Sequence, residues 1–114
     1  MLTLRELRRL ALSLPETEER VEGSRPSFQV RGTPIVLLVP RRLRAGLKLT
    51  PEEQEALRRA QPAVFKPDRP GRDEGWTWVE LRWVDPWIFE ELLIGAWRRH
   101  ASRTAITRWS AEHR

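Results

Sequence analysis

The chain has 114 residues, of which 39% are hydrophobic and 32% charged, and it contains no cysteine. This composition is typical of a globular domain and excludes a disordered chain, a disulfide framework and a thiolate metal site. No apolar run approaches the ~20 residues that span a bilayer. We therefore expect one domain over residues 1–114, with a core at about 4–103 and a short extension over 104–114, and a cytoplasmic location.

The net charge is +5, and all but two of the 21 basic residues are arginine. Because arginine stays protonated to very high pH, it raises the pI beyond what this modest excess of charge implies. Nine prolines, one methionine and no cysteine are typical of a thermophilic protein. The basic balance by itself is therefore weak evidence for a nucleic-acid ligand.

The first element is a predicted helix over residues 4–14. Thr3 and Glu6 have the spacing of a capping box, leucine and alanine recur on one face, and Pro15 ends the pattern. Residues 16–22 carry four glutamates, and we interpret them as an acidic connector that ends at the break over residues 23–26.

Three strands are predicted next. Residues 28–31 alternate apolar and polar side chains, residues 32–34 form a turn, and residues 35–39 are uniformly apolar, as in a central strand.

After a further turn, residues 42–49 show the clearest two-residue period of the chain. This period places leucine and alanine on one face of the sheet and Arg42, Arg44 and Lys48 on the other.

The second half of the chain begins with a strong helix start at Thr50-Pro51-Glu52-Glu53, and this helix is expected to end near residue 60. A brief extended segment at residues 63–65 and an exposed loop over residues 66–75 follow. Residues 76–83 alternate as a strand. Asp85-Pro86 then caps a last major helix that runs to about residue 102, and the remainder is an extension or a short helix.

This order of elements predicts an α+β fold. Helices placed between groups of antiparallel strands give a two-layer sandwich, in which the helices pack on one face of an antiparallel sheet.

Five blocks of sequence resemble the MmcQ/YjbR family in their order and spacing. They are residues 12–19 (LSLPETEE), 26–32 (PSFQVRG) and 47–53 (LKLTPEE), the Gly75-Trp76 strand start and Ala96-Trp97 in the closing helix. The resemblance extends from about residue 4 to residue 103.

The resemblance implies a compact α+β fold related to secretion-chaperone-like and CyaY-like domains. It also implies a double-wing DNA-binding motif, although most members have no established activity. We assign the wings to the hairpin over residues 39–47 and the loop over residues 66–75. Many members carry a tryptophan-glycine pair where this chain has Glu22-Gly23, so any role of that aromatic does not carry over.

Strand parity predicts a basic face on the side of the sheet that the helices leave open. Arginine side chains form forked contacts with phosphate, and exposed indoles stack on bases for ~1–3 kcal/mol each. The loops extend this positive rim. The candidate nucleic-acid-binding residues are Arg31, Arg41, Arg42, Arg44, Lys48, Lys66, Arg69, Arg72, Trp76, Trp78 and Arg82.

We therefore predict a non-enzymatic protein that binds DNA weakly, with little sequence preference, through phosphate contacts. About four contacts imply roughly a hundredfold loss of affinity between about 50 and 200 mM salt.

No catalytic residues, cofactor or metal are predicted. The two histidines, His100 and His113, have no cysteine or clustered carboxylate to complete a metal site.

Three alternatives remain open. In the first, the charged face is an ordinary solvated sheet surface, where arginine pairs with Glu80 across strands and the tryptophans cover edges or core. In the second, the protein is an interaction module that binds a protein partner. In the third, a small molecule binds between sheet and helices, in a pocket lined by Trp83, Trp87 or Trp97.

Overall fold

The computed structural model describes residues 1–68 and 74–113. These residues form one six-stranded sheet and four α-helices. In chain order the elements are α1 (Leu4–Ser13), β1 (Thr17–Glu22), β2 (Arg25–Val30), β3 (Thr33–Val39), β4 (Arg44–Lys48), α2 (Pro51–Ala60), β5 (Phe65–Pro67), β6 (Trp76–Glu80), α3 (Pro86–Arg98) and α4 (Arg103–Glu112). A short 3-10 helix over Pro40–Arg42 connects β3 to β4.

The sheet has the strand order β1-β2-β3-β4-β6-β5, and every neighbouring pair is antiparallel. Strands β3 and β4 are central, and their register places Val36 opposite Leu47 and Leu38 opposite Ala45. All four of these side chains are buried. The period-two pattern of β4 therefore gives the core face that the sequence predicts.

The core lies between this face of the sheet and the helices. Helix α1 contributes Leu7 and Ala11, and α3 contributes Phe89, Leu93 and Trp97. The two-layer α+β prediction is confirmed: the helices pack on one face of an antiparallel sheet.

Local capping signals are reproduced. Thr50 and Glu53 form the complete capping box of α2, and Asp85 caps α3 by accepting from the Trp87 backbone N–H at 2.8 Å. At α1, the Thr3 hydroxyl oxygen accepts from the Glu6 backbone N–H at 3.1 Å.

The acidic segment over residues 16–22 is not a connector, and that prediction is wrong. It forms the edge strand β1, which pairs with β2 along its whole length from Thr17 opposite Val30 to Glu22 opposite Arg25. An edge strand with most side chains in solvent needs no apolar alternation, so its sequence lacks the period that identifies half-buried strands.

The end of the chain is a fourth helix. Helix α3 ends at Arg98, earlier than expected. A separate helix follows, and Ser102 caps it: the Ser102 hydroxyl oxygen accepts from the Ala105 backbone N–H at 3.1 Å. The ring of Trp109 packs on the buried Trp97 with centroids 5.4 Å apart. Of the two forms left open for this segment, the short helix is therefore the one found. No helix of the described residues is long and apolar enough to cross a membrane.

Candidate nucleic-acid interface

The sheet face opposite the core, which we call the outer face, carries the side chains that alternate with the core residues. Strand register places Leu37, Gly46, Trp78 and Lys66 side by side across four strands. A trough of about 330 Å³ on this face is lined by strand residues and Asp68, with no helix residue among them. The helices of the described chain therefore leave the outer face open, as predicted.

Both predicted tryptophans on the outer face are held against the sheet. Gly46 is buried between them: a Cβ at this position would lie 3.4 Å from the Trp78 ring and 3.7 Å from the Trp76 ring. Trp78 donates its indole N–H to Asp68 Oδ1 at 3.2 Å, and Lys48 Nζ lies 5.9 Å from the Trp76 ring centroid. These contacts leave the two rings half-buried, which limits their use as base-stacking platforms.

Glu80 compensates two of the predicted phosphate-binding cations. Its carboxylate accepts from Arg44 Nε at 2.5 Å and lies 3.8 Å from Lys66 Nζ. Arg44 is directly opposite Glu80 in the ladder between β4 and β6. This is the cross-strand pairing expected of an ordinary sheet surface, so the middle of the outer face carries less free positive charge than the sequence indicates.

Arg42 and Arg82 were expected on strands, but both lie beyond the strand ends, so strand parity does not apply to them. Arg42 ends the 3-10 helix, and the next residue, Leu43, has the left-handed φ of 52° before β4 begins. Arg82 follows β6 in a turn. Parity holds only inside a paired strand, and both arginines lie beyond the strand ends.

These two turns meet at one end of the sheet and form a cleft of about 410 Å³. The Leu81 backbone N–H donates to the Leu43 carbonyl at 3.0 Å and so joins the turn after β3 to the turn after β6. We call this site the arginine cleft. Its lining residues are Arg41, Arg42, Arg44, Glu80, Arg82 and Trp83.

Three guanidinium groups of the arginine cleft form no ion pair with a carboxylate of the described residues. Arg41, Arg42 and Arg82 are exposed, and none is within 4.0 Å of a carboxylate in residues 1–68 and 74–113. Arginine stays charged at all physiological pH values. The cleft therefore concentrates positive charge at a concave end of the sheet, where fields are focused.

The remaining predicted residues lie elsewhere. Arg31 was expected on a strand, but it forms a turn with φ of 51° at the end of β2, where its backbone N–H donates to the Glu16 carbonyl. Its positive charge contributes to lowering the pKa of the Glu16 carboxyl, after the hydrogen bonds from Ser102. Arg31 is therefore separate from the arginine cleft. Arg69 and Arg72 lie outside the described residues.

Lys48 lies at the other end of β4 from Arg44. Its carbonyl accepts from Arg99 Nη2 at 2.9 Å. Burial lowers the pKa of the neighbouring His100, and the positive charges of Lys48 and Arg99 lower it further. This second group of cations is attached to the C-terminal end of α3 and does not join the arginine cleft.

Sequence reasoning omitted Trp83 from the nucleic-acid list and considered it only for a pocket. It is 67% exposed and lines the arginine cleft. Of the other two pocket candidates, Trp97 is fully buried and Trp87 lines a different cleft. The signal for Trp83 was its place between the end of a strand and the Asp85-Pro86 helix cap, which predicts a turn. In the described part of the chain, no group of three or more side chains could hold a metal ion.

Fold and site together define a class: a two-layer α+β protein with a cluster of arginines in a cleft at one end of its sheet. A family model described as YjbR matches residues 12–99. The chain therefore belongs to the YjbR family, which confirms the resemblance seen in the sequence.

Among solved structures, the chain is similar to Deinococcus radiodurans protein DR2400, whose structure contains a DUF419 domain. The two are 28% identical, with a TM-score of 0.76 over 85% of this chain and 77% of the Deinococcus chain. No match was found among curated proteins.

Proposed function

We propose that this protein is a non-enzymatic DNA-binding protein whose main contact surface is the arginine cleft. The observation that carries the proposal is the convergence of Arg41, Arg42 and Arg82 in one cleft without a carboxylate partner in the described residues. Guanidinium groups form forked hydrogen bonds with phosphate oxygens. The proposal includes a cytoplasmic location.

Binding of this kind is dominated by the phosphate backbone and has little sequence preference. Arg41, Arg42 and Arg82 lie on the connections that follow β3 and β6, where their side chains can follow the DNA backbone. The proposal differs from the sequence-based one in which cations carry the binding: Arg44 and Lys66 contribute less because Glu80 already compensates them.

Salt dependence gives a quantitative test. Three phosphate contacts predict a slope of log affinity against log salt of about −2.7, or about a fortyfold loss between about 50 and 200 mM salt. The double variant Arg41→Gln/Arg42→Gln keeps one contact, so its loss over the same range should be about 3.5-fold. Fluorescence anisotropy with a labelled duplex measures both values.

The matched control is Arg103→Gln/Arg108→Gln on α4, which removes the same charge from two exposed positions. Helix α4 follows the end of α3 that contacts Lys48, at the opposite end of β4 from Arg44. The control should keep the salt slope of the unmodified protein. Absence of binding at low salt, or equal losses in the two double variants, would reject the proposal.

A second candidate, a protein-interaction module, has its own support in the trough on the outer face. Pro34, Leu37, Val39 and Trp78 give this trough apolar walls, and Leu37 is 37% exposed. This candidate predicts self-association or a captured protein partner through the trough. Light scattering after size exclusion, with Leu37→Glu as the disrupting variant, tests it.

A further inference from the structure

The exposed indole of Trp83 has no role in binding a duplex through its phosphates. Its exposed fraction is 67%, although Leu81 and Val84, which lie on either side of the Arg82-Trp83 pair in the chain, are both 1% exposed. Those two buried side chains anchor the turn from both sides, and the Trp83 backbone N–H donates to the Glu80 carbonyl at 3.1 Å. The indole is therefore directed into solvent by a turn that is itself fixed to the core.

The indole of Trp83 and the three exposed guanidinium groups share one cleft. The lining of the arginine cleft includes Trp83 together with Arg41, Arg42 and Arg82. A flat aromatic surface beside phosphate-binding cations is the combination that proteins use for single-stranded nucleic acid: the cations follow the backbone and the aromatic ring stacks on an unpaired base. The half-buried Trp76 and Trp78 do not offer such a surface, because they pack on the strand around Gly46.

The cleft is large enough for one nucleotide, and the accessibility of unpaired bases favours a single strand over a duplex. Its volume of about 410 Å³ lies within the range of pockets that hold small ligands, about 300–1,000 Å³. The bases of a duplex are stacked and paired inside the helix, and a base must be unstacked and unpaired before a protein side chain can stack on its face. A single strand offers its bases at little cost.

We infer that the arginine cleft is selective for single-stranded DNA, with an unpaired base stacked on Trp83 and the flanking phosphates on Arg41, Arg42 and Arg82. This inference rests on the proposed function, which it narrows from DNA in general to an unpaired strand. It predicts that a single strand binds more tightly than the same strand annealed to its complement, by about fivefold to a hundredfold for one stacked base.

The test compares Trp83→Ala with Trp87→Ala. Trp87 is 73% exposed and lies four residues further along the chain, in a different cleft, so it is matched in type and exposure. Anisotropy titrations use a labelled oligothymidylate and a labelled duplex with each protein. Trp83→Ala should lower affinity for the single strand by about fivefold to a hundredfold and leave duplex affinity unchanged, while Trp87→Ala should change neither. Trp83→Phe should restore part of the loss, because phenylalanine keeps a stacking face.

Two outcomes would overturn the inference: equal affinity of the unmodified protein for strand and duplex, or equal losses in Trp83→Ala and Trp87→Ala. In either case, a weakened duplex affinity in Arg41→Gln/Arg42→Gln would leave the proposed function standing. If neither DNA binds at low salt, the proposed function fails as well. The two failures are therefore distinguishable in one set of titrations.

Discussion

Replacing Gly75 by alanine is expected to destabilise the protein far more than the same change at Gly32. Both glycines have a left-handed backbone, with φ of 89° and 85°. At Gly32 an added Cβ would have no heavy atom within 4 Å, whereas at Gly75 it would lie 1.7 Å from the carbonyl oxygen of Leu49. Comparing the two variants therefore separates the cost of a left-handed backbone from the cost of the clash between the new Cβ and Leu49.

The conformational cost is common to both variants, about 1–2 kcal/mol for a side chain in the left-handed region. At Gly75 the two chain segments must also move apart. This movement breaks the bond from the Leu49 backbone N–H to the Gly75 carbonyl, 2.9 Å long, and disturbs the bond that the Thr77 hydroxyl donates to the same carbonyl at 3.1 Å. Leaving a buried polar group unpaired costs a further ~1–3 kcal/mol, so we expect a total loss of about 2–5 kcal/mol for Gly75→Ala.

Urea unfolding followed by far-UV circular dichroism measures both losses, because this signal is dominated by backbone secondary structure and depends much less than fluorescence on the indole of the adjacent Trp76. In thermal unfolding, Gly75→Ala should lower the Tm by about 8–20 °C and Gly32→Ala by about 4–8 °C. Equal destabilisation of the two variants would refute the argument, since it would show that the contact with Leu49 adds nothing to the backbone cost. The close approach of Leu49 to residue 75 also explains why a glycine precedes Trp76 at the start of β6.

Three further results are expected. Glu80→Gln should tighten DNA binding and steepen the salt slope by about 0.9 for each cation that gains a phosphate contact; unchanged anisotropy titrations would contradict this. Thr50→Ala should cost about 1 kcal/mol in urea unfolding, because it removes the capping box of α2; a loss below a few tenths of a kcal/mol would show that the box contributes little. Hydrogen bonds from the Ser102 backbone and hydroxyl lower the pKa of Glu16 below 4.5, so this stabilisation is present above pH 4.5 and is lost as pH falls through the folded-state pKa. Glu16→Gln should therefore flatten the fall of Tm with acid, and parallel Tm curves for the two proteins would exclude this contribution.

Local signals in the sequence were enough to define much of the fold. The capping box at Thr50, the aspartate cap at Asp85 and the apolar run of β3 each act within a few residues, so the sequence determines them without reference to the rest of the chain. The alternation of β4 also predicted correctly that Arg44 and Lys48 project from the outer face, because β4 is paired on both sides and buried on one.

The acidic edge strand β1 could not be found in this way. Its residues are mostly exposed, and only the hydrogen bonds to β2 make them a strand. Likewise, alternation counted past the ends of β4 and β6 assigned Arg42 and Arg82 to strands, whereas both lie in turns, where the two-residue period does not hold.

The arginine cleft depends on tertiary structure alone. Arg42 and Arg82 are far apart in the chain, and they meet because Arg44 pairs with Glu80 and the Leu81 N–H reaches the Leu43 carbonyl. The sequence by itself determined which residues alternate, which cap helices and how many cations the chain carries. The pairing of distant strands decided which cations Glu80 compensates and which have no carboxylate partner among the described residues. Side chains so far apart in sequence come within electrostatic range only when the sheet brings their strand ends together.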